Sequence, residues 1–100
     1  MHVLIKSVGQ YVGQEVTVKG WLYNRTDKGK LRFLLLRDGT GMIQAVVFKN
    51  NVSPKMFETA DSLTQESSLI VRGNIRQDER APGGFEMDVT HLETVNLSST

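Results

Sequence analysis

The stretch 31-LRFLLLRDGTGMIQAVVF-48 decides the fold class, because it sets two apolar runs on either side of a turn. Asp38-Gly39 between the runs is typical of a tight hairpin, in which glycine supplies the positive φ that the turn requires. Apolar runs of this length, bounded by turn residues, are typical of strands. We therefore predict two paired strands, Leu31–Arg37 and Met42–Phe48.

Upstream of this hairpin the chain alternates with period two, which predicts another strand over Glu15–Arg25. One face carries Val16, Val18, Gly20 and Leu22, and the other carries Thr17, Lys19, Trp21, Tyr23 and Arg25. The polar, glycine-containing residues 26–30 then turn the chain into the strand at Leu31. A short helical turn is also expected around Ser7–Val12, before this strand.

After Phe48 the spacing of the apolar residues changes from that of a strand to that of a helix. Ser53 before Pro54 is a helix N-cap followed by proline at the first helical position, and apolar residues recur at helical spacing from there. We predict one helix, Pro54 to about Leu63, which closes the bottom of a barrel. Alternation then predicts strands over Ser68–Arg76 and Phe85–Thr90, and the tail 96–100 is expected to fray.

The predicted order is three strands, one helix and two strands, all within a single domain of residues 1–100. Five short antiparallel strands with a helix between the third and the fourth are the order of the OB-fold, an all-β, partly open barrel. An SH3-like barrel also has five strands, but it usually lacks a helix of this length at that point. The fold alone does not give the function.

Composition limits the functions that need to be considered. Twelve basic against eleven acidic residues give a net charge of +1, so nucleic-acid binding would have to come from local placement rather than bulk charge. The absence of cysteine excludes disulfides and a zinc ribbon and favours the cytoplasm. The apolar stretch at the N-terminus is broken by Lys6 and is too short for a signal peptide or a spanning helix.

Motifs for catalysis are missing from the sequence. The two histidines, His2 and His91, stand at opposite ends with no metal-ligand spacing around them. Gly39 and Gly41 belong to the hairpin turn rather than to a phosphate-binding loop, and no nucleophile motif occurs. We expect no catalytic residue, no metal and no cofactor in this domain.

Single-stranded RNA is bound by aromatic rings that stack on bases, by amides or carboxylates that read base edges, and by cations on phosphates. Phe33 alternates out of step with Leu34 and Leu36, so it lies outside the barrel if those leucines line the core. The strand is apolar on both faces, and the opposite facing, with Phe33 in the core, is equally compatible with the pattern.

Gln44 interrupts an apolar strand, and its amide offers a donor and an acceptor side by side, as uracil requires. From the pattern alone, a solvated glutamine is somewhat more favoured. Arg25 closes the first strand near the loop and is a candidate for a phosphate or a base edge, although a lone arginine is more often only solvated.

Five further positions complete the candidate RNA surface or its surroundings. Asp88 and Glu86 could accept from guanine, or they could pair with Arg72 or Arg76 across the sheet, which we favour for Glu86. Arg76 and Lys30 are predicted RNA contacts, and Lys30 with its basic neighbours Lys28 and Arg32 could instead only keep a loop soluble. Trp21 is expected to be structural, packed over one end of the barrel.

The candidate site residues and the turn motifs also occur in an order typical of one protein family. The sequence resembles the N-terminal anticodon-binding domain of asparaginyl-tRNA synthetases over nearly its whole length, through Val12-Gly13-Gln14-Glu15-Val16, Gly20-Trp21, Arg25, Gly29-Lys30, Phe33, Leu36-Arg37-Asp38-Gly39-Thr40-Gly41, Gln44, Gln65-Glu66-Ser67-Ser68, Val71-Arg72-Gly73 and Asp78-Glu79-Arg80-Ala81-Pro82-Gly83-Gly84-Phe85-Glu86. Their joint order is typical of the class II subgroup for aspartate, asparagine and lysine. The hairpin turn and the 78–84 loop resemble the asparaginyl branch most.

The resemblance implies roles that the residue pattern left open. In that family a phenylalanine matching Phe33 stacks on the central anticodon uracil, and a glutamine matching Gln44 reads its edge. An arginine near position 25 assists, and Asp88 matches an acidic residue that reads the first anticodon base in aspartyl relatives. Here Asn24 and Thr26 flank Arg25 where relatives often carry a second arginine, so the cationic contribution is expected to be smaller.

The resemblance also implies partners and a parent enzyme. The partner would be the anticodon loop of tRNA(Asn), with GUU as its anticodon. Aminoacylation, ATP and Mg²⁺ would belong to a C-terminal catalytic domain outside this chain, through which the parent would form a homodimer, whereas this domain would be monomeric. The alternatives are a generic single-strand binder, a protein-binding or engineered OB scaffold, an aspartyl-type domain, or a chain that stands for the whole ligase.

Overall fold

The central hairpin is present with the predicted bounds, and it forms two strands of a closed five-stranded barrel in the computed structural model, which describes residues 1–96. The elements are a 3-10 turn Ile5–Tyr11, β1 Glu15–Lys28, β2 Leu31–Arg37, β3 Met42–Phe48, α1 Pro54–Ser62, β4 Ser68–Gln77 and β5 Phe85–Asn96. Of the tail expected to fray, Asn96 ends β5 and residues 97–100 lie outside the described part of the chain.

The strands close in the order β1-β2-β3-β5-β4. All neighbouring pairs are antiparallel except β3 and β5, which pair in parallel over three residues, with Gln44 opposite Glu86 and Val46 opposite Asp88. The predicted OB-type barrel with a helix between the third and fourth strands is therefore confirmed. The parallel closure between β3 and β5 was not part of that prediction.

Helix α1 begins where its cap residues indicate. The Ser53 side chain accepts a hydrogen bond from the Met56 backbone N–H at 3.2 Å, and Pro54 occupies the first helical position. The helix buries Phe57 and Ala60, and Leu63, the residue that ends it, is also buried. These apolar side chains close one end of the barrel, as predicted.

The barrel interior is filled from alternate positions of every strand. Leu34 and Leu36 are fully buried in β2, and β3 contributes Ile43, Ala45 and Val47. This facing resolves the ambiguity at Phe33, because its neighbours occupy the core and it must point to the outer side.

The alternation predicted for β1 is wrong beyond Tyr23, which still shares the outer face with Trp21, since both rings contact Arg37. The register with β2 shifts between Leu22 and Asn24, so Tyr23 is an extra residue in a β-bulge. A bulge reverses the faces of the residues that follow it, and Arg25 therefore pairs with the core residue Leu34. Arg25 lies on the opposite side from Trp21, and their predicted shared face does not exist.

Gly20 allows β1 and β2 to cross closely just before that bulge. A Cβ atom at this position would lie 2.5 Å from the backbone oxygen of Arg37, which no side chain can accept. The next residue, Trp21, is paired directly with Arg37. The close crossing thus sets the indole ring beside the arginine on the outer surface.

Candidate nucleic-acid interface

The outer side of β2 and β3 carries the two residues that the sequence singles out for base recognition. Phe33 is half-buried and pairs with Val46, and Leu35 pairs with Gln44. Phe33 and Gln44 are therefore diagonal neighbours on one face, and such pairs stand about 7–8 Å apart in antiparallel sheets. We call this surface, formed by Phe33, Leu35, Gln44 and Val46, the β2–β3 face.

Glu86 fixes the orientation of the Gln44 amide. Gln44 Nε2 donates to Glu86 Oε2 at 2.6 Å, and the glutamate is only 6% exposed. Because the nitrogen must face the carboxylate, the carbonyl oxygen and the second amide hydrogen are left for another partner. Within residues 1–96 the structure gives Gln44 Oε1 no hydrogen-bond donor.

Sequence reasoning weighed Glu86 as an acceptor for guanine or a partner of arginine, but it did not link Glu86 to Gln44. Its closeness to Gln44 arises from the parallel pairing of β3 with β5, two strands separated by a helix and a third strand. Alternation in the sequence shows which face a residue occupies but not which strand lies beside it. A correct pairing of β3 with β5 is the only signal that would have linked the two residues.

Arg76 joins this face to the acidic residues of β5. Its guanidinium contacts Glu86 through Nη2, Asp88 through Nε at 3.0 Å and Asp78 through Nη1 at 3.4 Å. Partial burial would lower the pKa of Arg76, but the hydrogen bond and charge of Asp88, together with Glu86, outweigh it and raise the pKa. The favoured cross-sheet pairing of Glu86 with Arg76 is confirmed.

Asp88 also pairs with Arg76, which is one of the two arginines considered for it from the sequence. Both of its carboxylate oxygens accept from Arg76 Nε, at 3.1 and 3.0 Å, and it stands next to Val46 across the β3–β5 contact. The other arginine considered, Arg72, lies 3.8 Å from Glu15 instead. Asp88 thus borders the β2–β3 face, and Arg76 restrains the direction of its carboxylate.

Arg25 is directed to the end of α1. Its Nη1 donates to the backbone oxygens of Ala60, Asp61 and Leu63, at 2.9, 2.7 and 3.3 Å. A cation on the last carbonyls of a helix is favoured by the helix dipole and satisfies acceptors that lack intrahelical partners. These bonds give Arg25 a helix-capping role, and the bulge in β1 explains why alternation did not reveal it.

The predicted basic group at the first hairpin separates into two parts. Lys30 is exposed in the turn between β1 and β2, as a contact for phosphate requires. Arg32 instead forms an ion pair with Asp61 and stacks 4.5 Å from the Phe57 ring centroid. The hydrogen bond from Arg32 holds the pKa of Asp61 below its usual range. Arg32 therefore fastens α1 to the barrel.

The side chains of the β2–β3 face are suited to the recognition of a base. Across residues 1–96, no group of three or more His, Cys, Asp or Glu side chains is arranged to hold a metal ion. In the same part of the chain, no helix has the length and apolar character needed to cross a membrane. An aromatic ring beside an oriented amide is suited to holding an unstacked base.

Comparison with known proteins agrees with this geometry. The family of tRNA anticodon domains, described as an OB-fold nucleic acid binding domain, matches residues 16–95. An asparagine–tRNA ligase of Koribacter versatilis is 59% identical over 91 residues, which are 91% of this chain and 21% of the ligase. That of Thermus thermophilus is 50% identical over 96% of this chain and 22% of its own length.

Solved structures lead to the same group of proteins. The crystal structure of asparaginyl-tRNA synthetase from Pyrococcus horikoshii superposes with a TM-score of 0.91 at 45% identity, covering 97% of this chain and 23% of that one. An OBody bound to hen egg-white lysozyme shares the fold, with a TM-score of 0.85 at 18% identity. The chain thus spans about a fifth of the ligases that it matches, and only their anticodon-binding OB region.

Proposed function

We propose that this chain, which belongs to the tRNA anticodon family of OB-fold nucleic-acid-binding domains, binds the anticodon loop of tRNA(Asn) across its β2–β3 face. The observation that carries the proposal is the diagonal placement of the Phe33 ring and the Gln44 amide on one outer surface. One residue supplies a stacking plane and the other supplies a directed donor and acceptor. Together they form a site for a single unstacked base.

The chemistry of the site favours uracil. The Gln44 carbonyl oxygen can accept from the N3–H of uracil, and its second amide hydrogen can donate to O4 or O2. Glu86 holds the amide in one orientation, because it accepts only from the nitrogen side. A cytosine held in the same position as uracil would turn its N3 acceptor toward the Gln44 carbonyl oxygen, so the oriented amide disfavours cytosine in that position.

The choice of tRNA(Asn) rests on the relatives. The asparagine–tRNA ligases reported above reach 59% identity, and their similarity covers the strands that carry Phe33 and Gln44. We infer that the domain reads GUU, with the central uracil on Phe33. Asp88 and Lys30 remain proposed contacts to the first base and to a phosphate, whereas the contacts of Arg25 and Arg76 favour supporting roles.

The rest of the activity belongs to the ligase as a whole. We infer that the chain serves a cytoplasmic, homodimeric asparagine–tRNA ligase in which aminoacylation, ATP and Mg²⁺ are handled by the part of the relatives that this chain does not match. The domain itself would contribute binding free energy and no chemical step. Amino-acid activation by the 100-residue chain is therefore expected to be undetectable.

A competition experiment tests the proposal. A labelled stem-loop with the anticodon GUU is bound at one fixed salt concentration and displaced by unlabelled GUU or by a loop of scrambled sequence. We expect the GUU loop to compete at least about tenfold better, as a difference of about 1.4 kcal/mol requires. Equal competition by the scrambled loop would show a generic single-strand binder, and no binding of either loop would exclude RNA recognition by this surface.

A further inference from the structure

Arg37 differs from the other half-buried arginines of the barrel. Arg25, Arg32 and Arg76 each have a carboxylate within 4 Å, whereas no ion pair to Arg37 is present within residues 1–96. The carboxylate of its neighbour Asp38 instead accepts from the Ile5 N–H at 2.9 Å and from Thr40. A guanidinium that is partly withdrawn from water normally has an anionic partner.

Two aromatic side chains hold this guanidinium in place. Its central carbon lies 5.0 Å from the Tyr23 ring centroid and 5.5 Å from that of Trp21. Arg37 Nε and Trp21 Nε1 are enclosed, and neither has a hydrogen-bond acceptor among residues 1–96. Such unpaired donors are uncommon in folded proteins, and each therefore calls for an explanation. The two terminal nitrogens of Arg37 are left to meet a ligand.

A pocket opens at this position. Its volume is about 360 Å³, and it is lined by Trp21, Arg37, Gly39, Thr40, Gly41 and Met42. Gly39 and Gly41 are small, Thr40 donates its N–H and hydroxyl to Asp38, and the residues that line the pocket include no acidic side chain. A fixed guanidinium beside small residues is the arrangement that proteins use for phosphate oxygens.

The pocket also lies in line with the β2–β3 face. Phe33, Leu35 and Arg37 alternate along the outer side of β2, so four residues, or about 13 Å, separate the ring from the guanidinium. A stacked strand advances about 3.4 Å per nucleotide, which makes this span at most about four nucleotides. One short RNA segment can therefore reach both positions.

We propose that the pocket at Arg37 is a phosphate-binding subsite for the RNA strand whose base stacks on Phe33. Arg37 contacts a backbone phosphate within about four nucleotides of that base, and Trp21 and Tyr23 hold the guanidinium in the orientation that the contact needs. The subsite adds affinity without reading sequence, because a phosphate is the same at every position. This inference rests on the proposed RNA-binding function.

The test is a scan of single neutral phosphates combined with Arg37→Gln. Stem-loops with the anticodon GUU, each carrying one methylphosphonate, are titrated against the unaltered 100-residue chain. One position near the base on Phe33 should weaken binding about 10- to 150-fold, as expected for a charge-assisted hydrogen bond. Arg37→Gln should weaken the normal loop similarly, lose no further affinity at that position, and reduce the salt slope by about 0.7.

Controls separate this inference from the proposed function. Arg72→Gln, which removes an exposed arginine paired with Glu15, should leave the salt slope nearly unchanged. If Phe33→Ala weakens binding while Arg37→Gln and every neutral phosphate within four nucleotides do not, the subsite is excluded and the RNA-binding face stands. If Phe33→Ala is also without effect, both fail. The methylphosphonate scan on the unaltered chain tests the phosphate subsite even if Arg37→Gln does not fold.

Discussion

The end of the barrel that α1 covers and the β2–β3 face both combine an aromatic ring with polar side chains. The partners of those polar side chains differ between the two regions. At the helix end Arg25 is bonded to three backbone oxygens of the α1 terminus. Arg32 is paired with Asp61 and stacked on Phe57. On the β2–β3 face, Phe33 is half-buried and Gln44 makes one bond, to Glu86.

This difference in partners separates structural side chains from recognition side chains within the first three strands, β1 to β3. Side chains whose polar groups are satisfied by the protein hold α1 to the barrel, and their loss should affect folding. Side chains left with an unused ring face or amide are available to a ligand, and their loss should affect binding. Substitutions on the two sides should therefore change different measured quantities.

Replacing Phe33 with alanine should produce the largest effect on binding. Loss of a stacking ring should lower the affinity for the GUU loop by about 1–3 kcal/mol at fixed salt, measured by fluorescence anisotropy. Stability in urea should change by less, because the ring lies on the outer face. Phe33→Tyr keeps the ring and should bind nearly as well, so equal losses in both variants would contradict stacking.

Replacing Arg25 with glutamine should act mainly on stability. The variant loses charge-assisted bonds to the α1 terminus, and we expect the free energy of unfolding to fall by about 1–2 kcal/mol in urea titrations. The affinity of the folded protein for the loop should stay within about twofold, a difference of less than 0.5 kcal/mol. A large loss of affinity with unchanged stability would show that Arg25 contacts the RNA rather than only capping α1.

Replacing Asp38 with asparagine should remove a pH dependence. Partial burial would raise the pKa of Asp38, but bonds from Thr40 and the Ile5 N–H outweigh it and hold the pKa below 3.8. A carboxyl with a depressed pKa stabilises the fold above its unfolded pKa, and this stability is lost as the pH falls through the folded pKa.

Asp38→Asn should therefore be less stable at pH 7 by about 1 kcal/mol, the contribution of a typical hydrogen bond. It should also lose less stability than the unaltered chain as the pH falls below the unfolded pKa and through the lower folded pKa of Asp38. Urea unfolding at several pH values measures both quantities. Parallel pH curves for the two proteins would show that the bonds to Ile5 and Thr40 contribute nothing.

Replacing Lys30 with glutamine should give the smallest change. The side chain is exposed in the hairpin turn, so stability should not change measurably. If it contacts one phosphate, the salt slope of RNA binding should fall by at most about 0.7. Lys55→Gln, which removes an exposed lysine of α1, is the matched control. Identical slopes for both variants would remove Lys30 from the interface.

Most of the fold could be predicted from local patterns. The bounds of β2 and β3 are those expected from the hairpin signal, and α1 begins at the predicted cap. The strands β1 and β5 run further than predicted, to Lys28 and Asn96, because cross-strand pairing continues where alternation in the sequence weakens. The N-terminal turn is a 3-10 turn over Ile5–Tyr11 rather than Ser7–Val12.

The surroundings of the site were less predictable, because they depend on contacts between distant strands. Periodicity alone left Phe33 undecided, and the burial of Leu34 and Leu36 resolves its facing. Arg25 was assigned to the wrong face because a bulge leaves no clear mark in the sequence. The link from Gln44 through Glu86 to Arg76 needs the β3–β5 contact, which local sequence does not encode.

The most direct test of base recognition changes Gln44 and the central anticodon base, singly and together. The affinity of the unaltered chain and of Gln44→Ala is measured for GUU and GCU loops at one salt concentration, which completes a double-mutant cycle. We predict that the unaltered chain prefers uracil and that Gln44→Ala loses this preference, with a coupling energy of about 0.5–3 kcal/mol. Equal preference for uracil in both proteins would contradict reading by Gln44.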